Sequence, residues 1–177
     1  MGNEITLKKL ESTEIDQVSK FRLADDDDRP LQDFIRRKAH TSSKANLTQT
    51  WVAKRSGDRK VIAYVSIMCA EVALENCYMI EDKPNANKFE FQPAIRIARL
   101  AVSRENQKSG FGKQLVDLVI GMALTIVQPH AGCRFLILDA KRKSISFYEK
   151  LGFRLLETEG NKSAETPLMF MDLQSLS

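Results

Sequence analysis

Gln107-Lys108-Ser109-Gly110-Phe111-Gly112-Lys113 stands between two segments of different period, and that junction organises the rest of this 177-residue sequence. Upstream, Ile95-Arg96-Ile97-Ala98-Arg99-Leu100-Ala101-Val102 places its apolar residues largely in alternation, the mark of a strand. Downstream, a helix is expected from about Gly112 to Val127. Leu115, Leu118, Val119, Met122 and Ile126 form its inward face, and Gln114, Asp117, Gly121 and Thr125 its polar stripe. Pro129 stops this helix and Gly132 turns the chain. The turn has chemistry of its own. Gly110 and Gly112 permit close backbone approach and positive φ. A helix N-terminus offers free N–H groups and the positive end of a dipole, which suits an anion. Strand, glycine turn and helix make a cradle for a pyrophosphate, with Lys108 and Lys113 adding charge. The spacing is neither a Walker loop nor GxGxxG, and a turn of this kind also serves as a plain tight connection.

The pattern extends in both directions. Phe135-Leu136-Ile137-Leu138 is a short continuous apolar strand, as expected at a sheet centre. A helix from about Lys143 to Leu151 comes next, ended by Gly152 as a left-handed cap. Phe153 to Leu156 and Pro167 to Leu173 read as two more strands. Toward the N-terminus, Ile5 to Leu10 alternates as an edge strand. Ser12 or Thr13 caps a helix carrying Ile15, Val18 and Phe21. Pro30 opens another helix, with Asp25 to Asp28 at its positive end, burying Leu31, Phe34 and Ile35 and exposing Arg36, Arg37 and Lys38. Thr50–Lys54 and Lys60–Ile67, the latter continuing toward Val72, flank the hairpin-like turn Ser56-Gly57-Asp58-Arg59. Residues 76–93, with Pro84 and Pro93, read as a long and mobile loop. The sum is a single α+β domain over 1–177, with a mixed, mostly antiparallel sheet of six or seven strands and about four helices.

Composition narrows the function classes. With 43% hydrophobic and 28% charged residues, the chain lacks the signature of a disordered one. Its longest apolar stretch, Leu115 to Val127, is interrupted by Asp117 and Gly121 and is too short to cross a bilayer. No charged-then-apolar leader opens the chain, so a cytoplasmic location is expected. Gly2 and Thr6 satisfy a myristoylation spacing, but Ile5 and Leu7 already read as strand. Cys69, Cys77 and Cys133 form no CxxC pair, and Cys133 reads as a buried thiol. With His40 and His130 the only histidines, no zinc spacing exists and no metal is expected. The net charge of +4 favours an anionic ligand without naming it.

A second element completes the pattern. Ser146-Phe147-Tyr148-Glu149-Lys150-Leu151-Gly152-Phe153 is a helix end, a glycine cap and a strand start. Phe147 and Phe153 read as core, and Tyr148 as either a core tyrosine or a site residue. In order, Arg99–Val102, Gln107–Gly112, Leu138-Asp139-Ala140 and Phe147–Phe153 resemble the GNAT superfamily of acyl-CoA-dependent N-acyltransferases. The resemblance covers about residues 94 to 157 strongly and the first half more loosely. It implies acetyl-CoA as co-substrate. It also implies that the backbone of Leu100, Ala101 and Val102 hydrogen-bonds the pantetheine arm and polarises the thioester carbonyl. Backbone N–H groups of Gln107, Lys108, Ser109, Gly110, Phe111, Gly112 and Lys113 would hold the pyrophosphate. Ser144 stands near the place where many members carry an asparagine that touches pantetheine. Phe147 joins the cofactor set beside Tyr148, which matches the tyrosine near the thioester sulfur that serves as general acid in many members.

The chemistry is consistent with that assignment. Attack of an amine on a thioester expels a thiolate, whose parent thiol has a pKa of about 8.5. A neutral tyrosine, pKa about 10, can donate to sulfur as charge develops there. Deprotonating a lysine amine at pH 7 costs about 4.6 kcal/mol, and an α-amine about 1 kcal/mol. Glu71, near the end of the third strand, and Glu90 in the long loop are candidate bases beside their plainer reading as surface acids. Asp33–Ala39, Ala98–Val102 and Asp139-Ala140 followed by Phe147-Tyr148 look like the branch that includes toxin acetyltransferases. Those act on the α-amine of aminoacyl-tRNA, and the branch also holds plain acetyltransferases. Arg36, Arg37, Lys38, Lys141, Arg142 and Lys143 could meet RNA phosphates, or form a solvated face, and Lys141 to Lys143 could instead meet the cofactor's 3′-phosphate. Asp25 to Asp28 would oppose RNA if set beside the site. The main expectation is acetyl transfer to a primary amine in a ternary complex. Toxin-type acetylation of charged tRNA is the second, and a non-catalytic acyl-CoA-binding module the third. Intact Tyr148, Gly110 and Gly112 argue against the third. Candidate partners are a small-molecule or peptide amine, tRNA and a second copy of the chain; a membrane is not among them.

Overall fold

A computed structural model describes residues 5–11, 15–55 and 60–176. The expected cap at Ser12 or Thr13, the Ser56–Arg59 turn and Gly2 lie outside the described residues. The strands are β1 (Ile5–Lys9), β2 (Gln49–Arg55), β3 (Val61–Ala73), β4 (Phe91–Val102), β5 (Phe135–Asp139), β6 (Arg154–Leu155) and β7 (Leu168–Asp172). They form a seven-stranded sheet in the order β1-β2-β3-β4-β5-β7-β6. The β1–β2, β2–β3, β5–β7 and β6–β7 pairs are antiparallel, and β4–β5 is parallel. The helices are α1 (Ile15–Val18), α2 (Arg29–Asp33), α3 (Ala39–Lys44), α4 (Phe111–Met122), α5 (Ile145–Lys150) and α6 (Glu159–Ser163). This is the expected α+β architecture, with β3 reaching Val72 as anticipated and ending at Ala73. The chain divides into two compact units, Met1–Met68 with Ile97–Val119 and Cys69–Arg96 with Ile120–Ser177.

In the first unit, Phe34, Ile35 and Ala39 of the α2–α3 run pack with Val52, Val61, Tyr64 and Ala101 of the strands. Burying each large side chain here contributes about 1.5–3 kcal/mol. The π-turn Phe34–Lys38 joins α2 to α3, so the helix expected after Pro30 is one continuous helical run. Phe21 lies beyond the end of α1 yet is buried, edge-on to Tyr64 at 5.6 Å. Arg36 corrects the sequence reading. It is half-buried, because its Nε donates to the Phe21 carbonyl at 2.8 Å and its Nη2 donates to the same oxygen. Helical periodicity cannot show a guanidinium drawn inward by a carbonyl fifteen residues away. Arg37 and Lys38 are exposed as expected.

The second unit closes around Val72, Leu74, Ile80, Ala94, Phe135, Ile137, Leu156 and Phe170. The segment expected as a loop over 76–93 departs from that reading in two ways. Its last residues already belong to β4, including Pro93. The register with β5 begins one residue later, at Ala94↔Phe135, and Pro93 contributes its carbonyl to the Arg134 N–H at 2.9 Å. Proline is tolerated near a strand start for this reason. The remainder is also folded. Ile80 is buried, and the Asn87 side chain bonds its N–H at 2.9 Å and its carbonyl at 3.1 Å. Arg134 then clamps this connection to Asp82 at 2.6 Å and to Asp172 of β7 at 2.7 Å.

Helix α4 buries Leu115, Val116 and Val119. Ile126, expected inside, is exposed, and Ala123 is buried instead. The cause is a π-turn over Ala123–Val127, which adds a residue to the turn and rotates the phase of the side chains along it. Helix α6 has no counterpart in the sequence reading. Thr158 caps it by accepting from the Asn161 N–H at 3.2 Å.

Candidate active site

The glycine turn of the first unit has a bolted base and an open tip. At the base, the Ser103 N–H donates to Ile62 O at 2.8 Å and the Arg104 N–H to Arg22 O at 2.8 Å. Buried Asn106 donates to Ser103 Oγ at 2.9 Å and accepts from Arg55 Nη2 at 2.9 Å. Gln107, Lys108, Ser109 and Gly110 then form the exposed tip. Lys108 has φ +62 and Gly110 φ +82, the left-handed backbone that glycine adopts without steric cost. A Cβ placed on Gly110 meets nothing within 4 Å, so the turn faces open space.

The Gln114 N–H donates to Gly110 O at 3.1 Å, the first bond of α4. The N–H groups of Phe111, Gly112 and Lys113 therefore have no acceptor inside the helix. Phe111 is buried and fixes the helix end. Three amides without an intrahelical acceptor, a helix dipole and a glycine without a side chain suit a diphosphate. The lysines differ from each other. Lys113 lies 2.6 Å from Asp117, so its charge is shared one turn along, while Lys108 is exposed at the tip. Leu100, Ala101 and Val102 lie past the end of the β4–β5 ladder, which covers Ala94 to Arg96; Ala101 is in the core and its two neighbours are half-buried.

Tyr148 sits in the second unit, on α5. The helix ends as the sequence indicates. Gly152 has φ +94, the Phe153 N–H donates to Tyr148 O at 3.1 Å and the Gly152 N–H to Glu149 O at 2.9 Å, together a Schellman cap. The Tyr148 ring is held edge-on between Phe147 at 4.9 Å and Phe153 at 5.7 Å. Phe147 is half-buried rather than core, and its ring orients Tyr148. No described residue hydrogen-bonds the Tyr148 hydroxyl. Burial alone pushes its pKa up to about 12, so it is a neutral donor across the physiological range. Ser144, half-buried, precedes α5, with its N–H on Lys141 O at 2.7 Å.

The remaining candidates fall elsewhere. Glu71 is exposed on β3 and Glu90 is exposed before β4, and no described contact brings either to Tyr148. Arg142 donates to Lys162 O and Ala164 O, both at 2.6 Å, so its guanidinium fastens the α6 segment. Sequence reading missed Asn106, Arg55 and the Arg134–Asp82–Asp172 clamp, where Arg134 also holds the Asp82 carboxyl below its ordinary range. Tyr78 donates to Asp172 at 2.9 Å, and burial and that bond raise its pKa. Among the described residues, no group of His, Cys, Asp or Glu could hold a metal ion, and no helix is long and apolar enough to cross a membrane.

Residues 46–155 match the family model for the acetyltransferase (GNAT) domain. No curated protein matches the chain. Among solved structures, the crystal structure of a bacterial toxin aligns with a TM-score of 0.81 at 17% identity, over 99% of this chain and 94% of that one. A tyrosine-to-phenylalanine mutant of KacT aligns at 0.79 and 17% identity, over 98% and 97%. AtaT complexed with acetyl-methionyl-tRNAfMet aligns at 0.76 and 19% identity, over 98% and 97%. At these identities the likeness is one of fold.

Proposed function

The chain belongs to the GNAT acetyltransferase family, and on that premise we propose that it passes the acetyl group of acetyl-CoA directly to a primary amine. In this reading the turn from Gln107 to Lys113 binds the pyrophosphate, the Leu100–Val102 backbone aligns the thioester, and Ser144 and Phe147 flank the pantetheine end. The amine nitrogen attacks the acetyl carbonyl, the new C–N bond forms, and the C–S bond breaks with its electron pair on sulfur. Tyr148 donates its hydroxyl proton to that sulfur, and the amine's surplus proton returns through solvent to the tyrosinate oxygen, so the products are amide, thiol and neutral Tyr148. General-acid help of this kind is worth about 10²- to 10⁴-fold.

One observation carries the reading. Tyr148 is a buried, neutral tyrosine, oriented by two rings, whose hydroxyl bonds no described residue and is not among the fully enclosed polar atoms. A structural tyrosine buried to this degree ordinarily has a hydrogen-bond partner. Glu71 has no comparable support as a base. An acceptor that arrives largely deprotonated, as an α-amine does, removes the need for one.

The α-amine of an aminoacyl-tRNA is the second reading. The fold shared with AtaT, solved with acetyl-methionyl-tRNAfMet, favours it. Under that reading an antitoxin partner is expected, since AtaT has also been solved bound to the C-terminus of the antitoxin AtaR. Of the six basic residues noted in the sequence, Arg36 and Arg142 donate to backbone carbonyls, which occupies N–H groups that RNA phosphates would otherwise take.

The deciding experiment reads thiol release from acetyl-CoA with polyamines, peptides, aminoglycosides and charged tRNA as acceptors. At least one should release thiol above background hydrolysis. The salt dependence of the initial rate then assigns the class, because RNA binding weakens steeply with salt through counterion release and a small amine does not. Acetyl-CoA binding without thiol release for any acceptor would leave a non-catalytic binder.

A further inference from the structure

The connection between β3 and β4 bounds a cleft of about 300 Å³ in the second unit. None of the residues assigned to the cofactor or to acid catalysis lines it. Its polar groups sort into two sets. The first is engaged inside the fold. Asn87 holds both backbone groups of Ile80, and Gln92 Nε2 donates to Ala86 O at 2.8 Å and to Phe89 O at 3.1 Å. The Tyr78 hydroxyl is on Asp172, and the Arg154 guanidinium lies 5.6 Å from its ring.

The second set has no partner among the described residues. It comprises the carboxylates of Glu75 and Glu90 and the amide of Asn76, set beside two exposed apolar groups, Met79 at 55% and Phe89 at 70%. Glu75 is held in a left-handed turn with Asn76, φ +52 and +67. No basic residue lines the cleft, although the chain carries a net charge of +4. Unneutralised carboxylates attract a cation, an open aromatic face adds its quadrupole, and a thioether packs on methylenes. A carboxylate pair alone would suit any cation, whereas the ring and the thioether select one with an apolar stem.

We propose that this cleft binds an alkylammonium ligand, a cationic head on a methylene stem, through Glu75, Glu90, Phe89 and Met79. The site is additional to the transfer chemistry and does not depend on it. Spermidine is a suitable probe, titrated calorimetrically into the full-length protein without acetyl-CoA. Saturable binding near one equivalent is expected, with 1,8-octanediol, which has the stem but no charge, giving none. Glu75→Gln/Glu90→Gln should weaken spermidine by about tenfold, as befits two surface charge pairs. The same variant should bind acetyl-CoA like the wild type, which separates a failure here from a failure of the acetyltransferase reading. Asp26→Asn/Asp27→Asn, in the exposed acidic run of the first unit, should leave spermidine affinity unchanged. No saturable binding, an equal loss in the aspartate variant, or undiminished binding in the glutamate variant would overturn the proposal. Amide shifts confined to residues 74–92 on titration would support it, and shifts elsewhere would contradict it.

Discussion

Each unit of this molecule contains a buried tyrosine and a left-handed glycine, and the two pairs are arranged in opposite ways. In the first unit Tyr64 donates to Leu31 O at 2.7 Å, stacks on Phe34 and is engaged entirely by the fold. Its glycine, Gly110, faces open space. In the second unit Tyr148 is also buried but has no hydrogen-bond partner among the described residues, while Gly152 is packed, with Met171 Cε 3.5 Å from where a Cβ would stand. Burial raises both tyrosine pKa values and so does not distinguish them. What separates a structural from a functional copy of the same residue type is whether the fold already satisfies it. Tyr64 and Gly152 are complete without a ligand; Tyr148 and Gly110 are not.

Four substitutions probe that contrast in decreasing order of effect. Gly110→Asp should abolish acetyl-CoA binding in calorimetry with the fold intact, since it sets a carboxylate where a pyrophosphate would lie. Undiminished affinity would remove the cradle assignment. Tyr148→Phe should lower kcat by roughly ten- to a thousandfold, about 1.4 to 4 kcal/mol, with little change in acetyl-CoA affinity. Gly152→Ala should destabilise by about 1–2 kcal/mol through left-handed strain, lowering Tm by about 2–8 °C and leaving cofactor affinity alone. Tyr64→Phe should cost about 1 kcal/mol through loss of its bond to the Leu31 carbonyl, which keeps the Phe34 N–H, with kcat per folded molecule unchanged. A kinetic effect of Tyr64→Phe, or a purely thermal effect of Tyr148→Phe, would break the contrast.

A smaller effect arises from the tyrosine pKa values. Both are raised on folding, so the unfolded chain loses these protons first as pH rises, and stability should fall between about pH 10 and the folded values. Below about pH 10 neither tyrosine contributes a pH dependence. A Tm-against-pH series should show a shallower alkaline fall for Tyr148→Phe than for the wild type. Any titration of kcat between pH 6 and 9 should belong to the amine acceptor and rise with pH.

The parts of the fold that were legible in the sequence are those set by local chemistry. The alternation of β4, the glycine turn, the amphipathic start of α4 and the Gly152 cap each depend on residues a few positions apart. The parts that were not legible depend on distant partners or on a change of helix type. Arg36 is drawn to Phe21 across fifteen residues, and Arg134 reaches Asp82 and Asp172 across 52 and 38. The π-turn at Ala123–Val127 breaks the period on which the inward placement of Ile126 rested. In the candidate site, the positions of Tyr148 and Gly110 could be named from motif alone. Their incompleteness could not, because it is the absence of a neighbour rather than the presence of a residue. The contact of buried Asn106 with exposed Arg55 that steadies the turn left no sequence signal either.

The central claim is that the Tyr148 hydroxyl serves the reaction and not the fold. Single-turnover thiol release by Tyr148→Phe and Tyr64→Phe, measured side by side with the acceptor that the screen returns and normalised to folded protein by Tm, tests it most directly. Tyr148→Phe should be slow, by at least about tenfold, at near wild-type Tm, and Tyr64→Phe should be fast at lowered Tm. A Tyr148→Phe variant that turns over at the wild-type rate would contradict the claim.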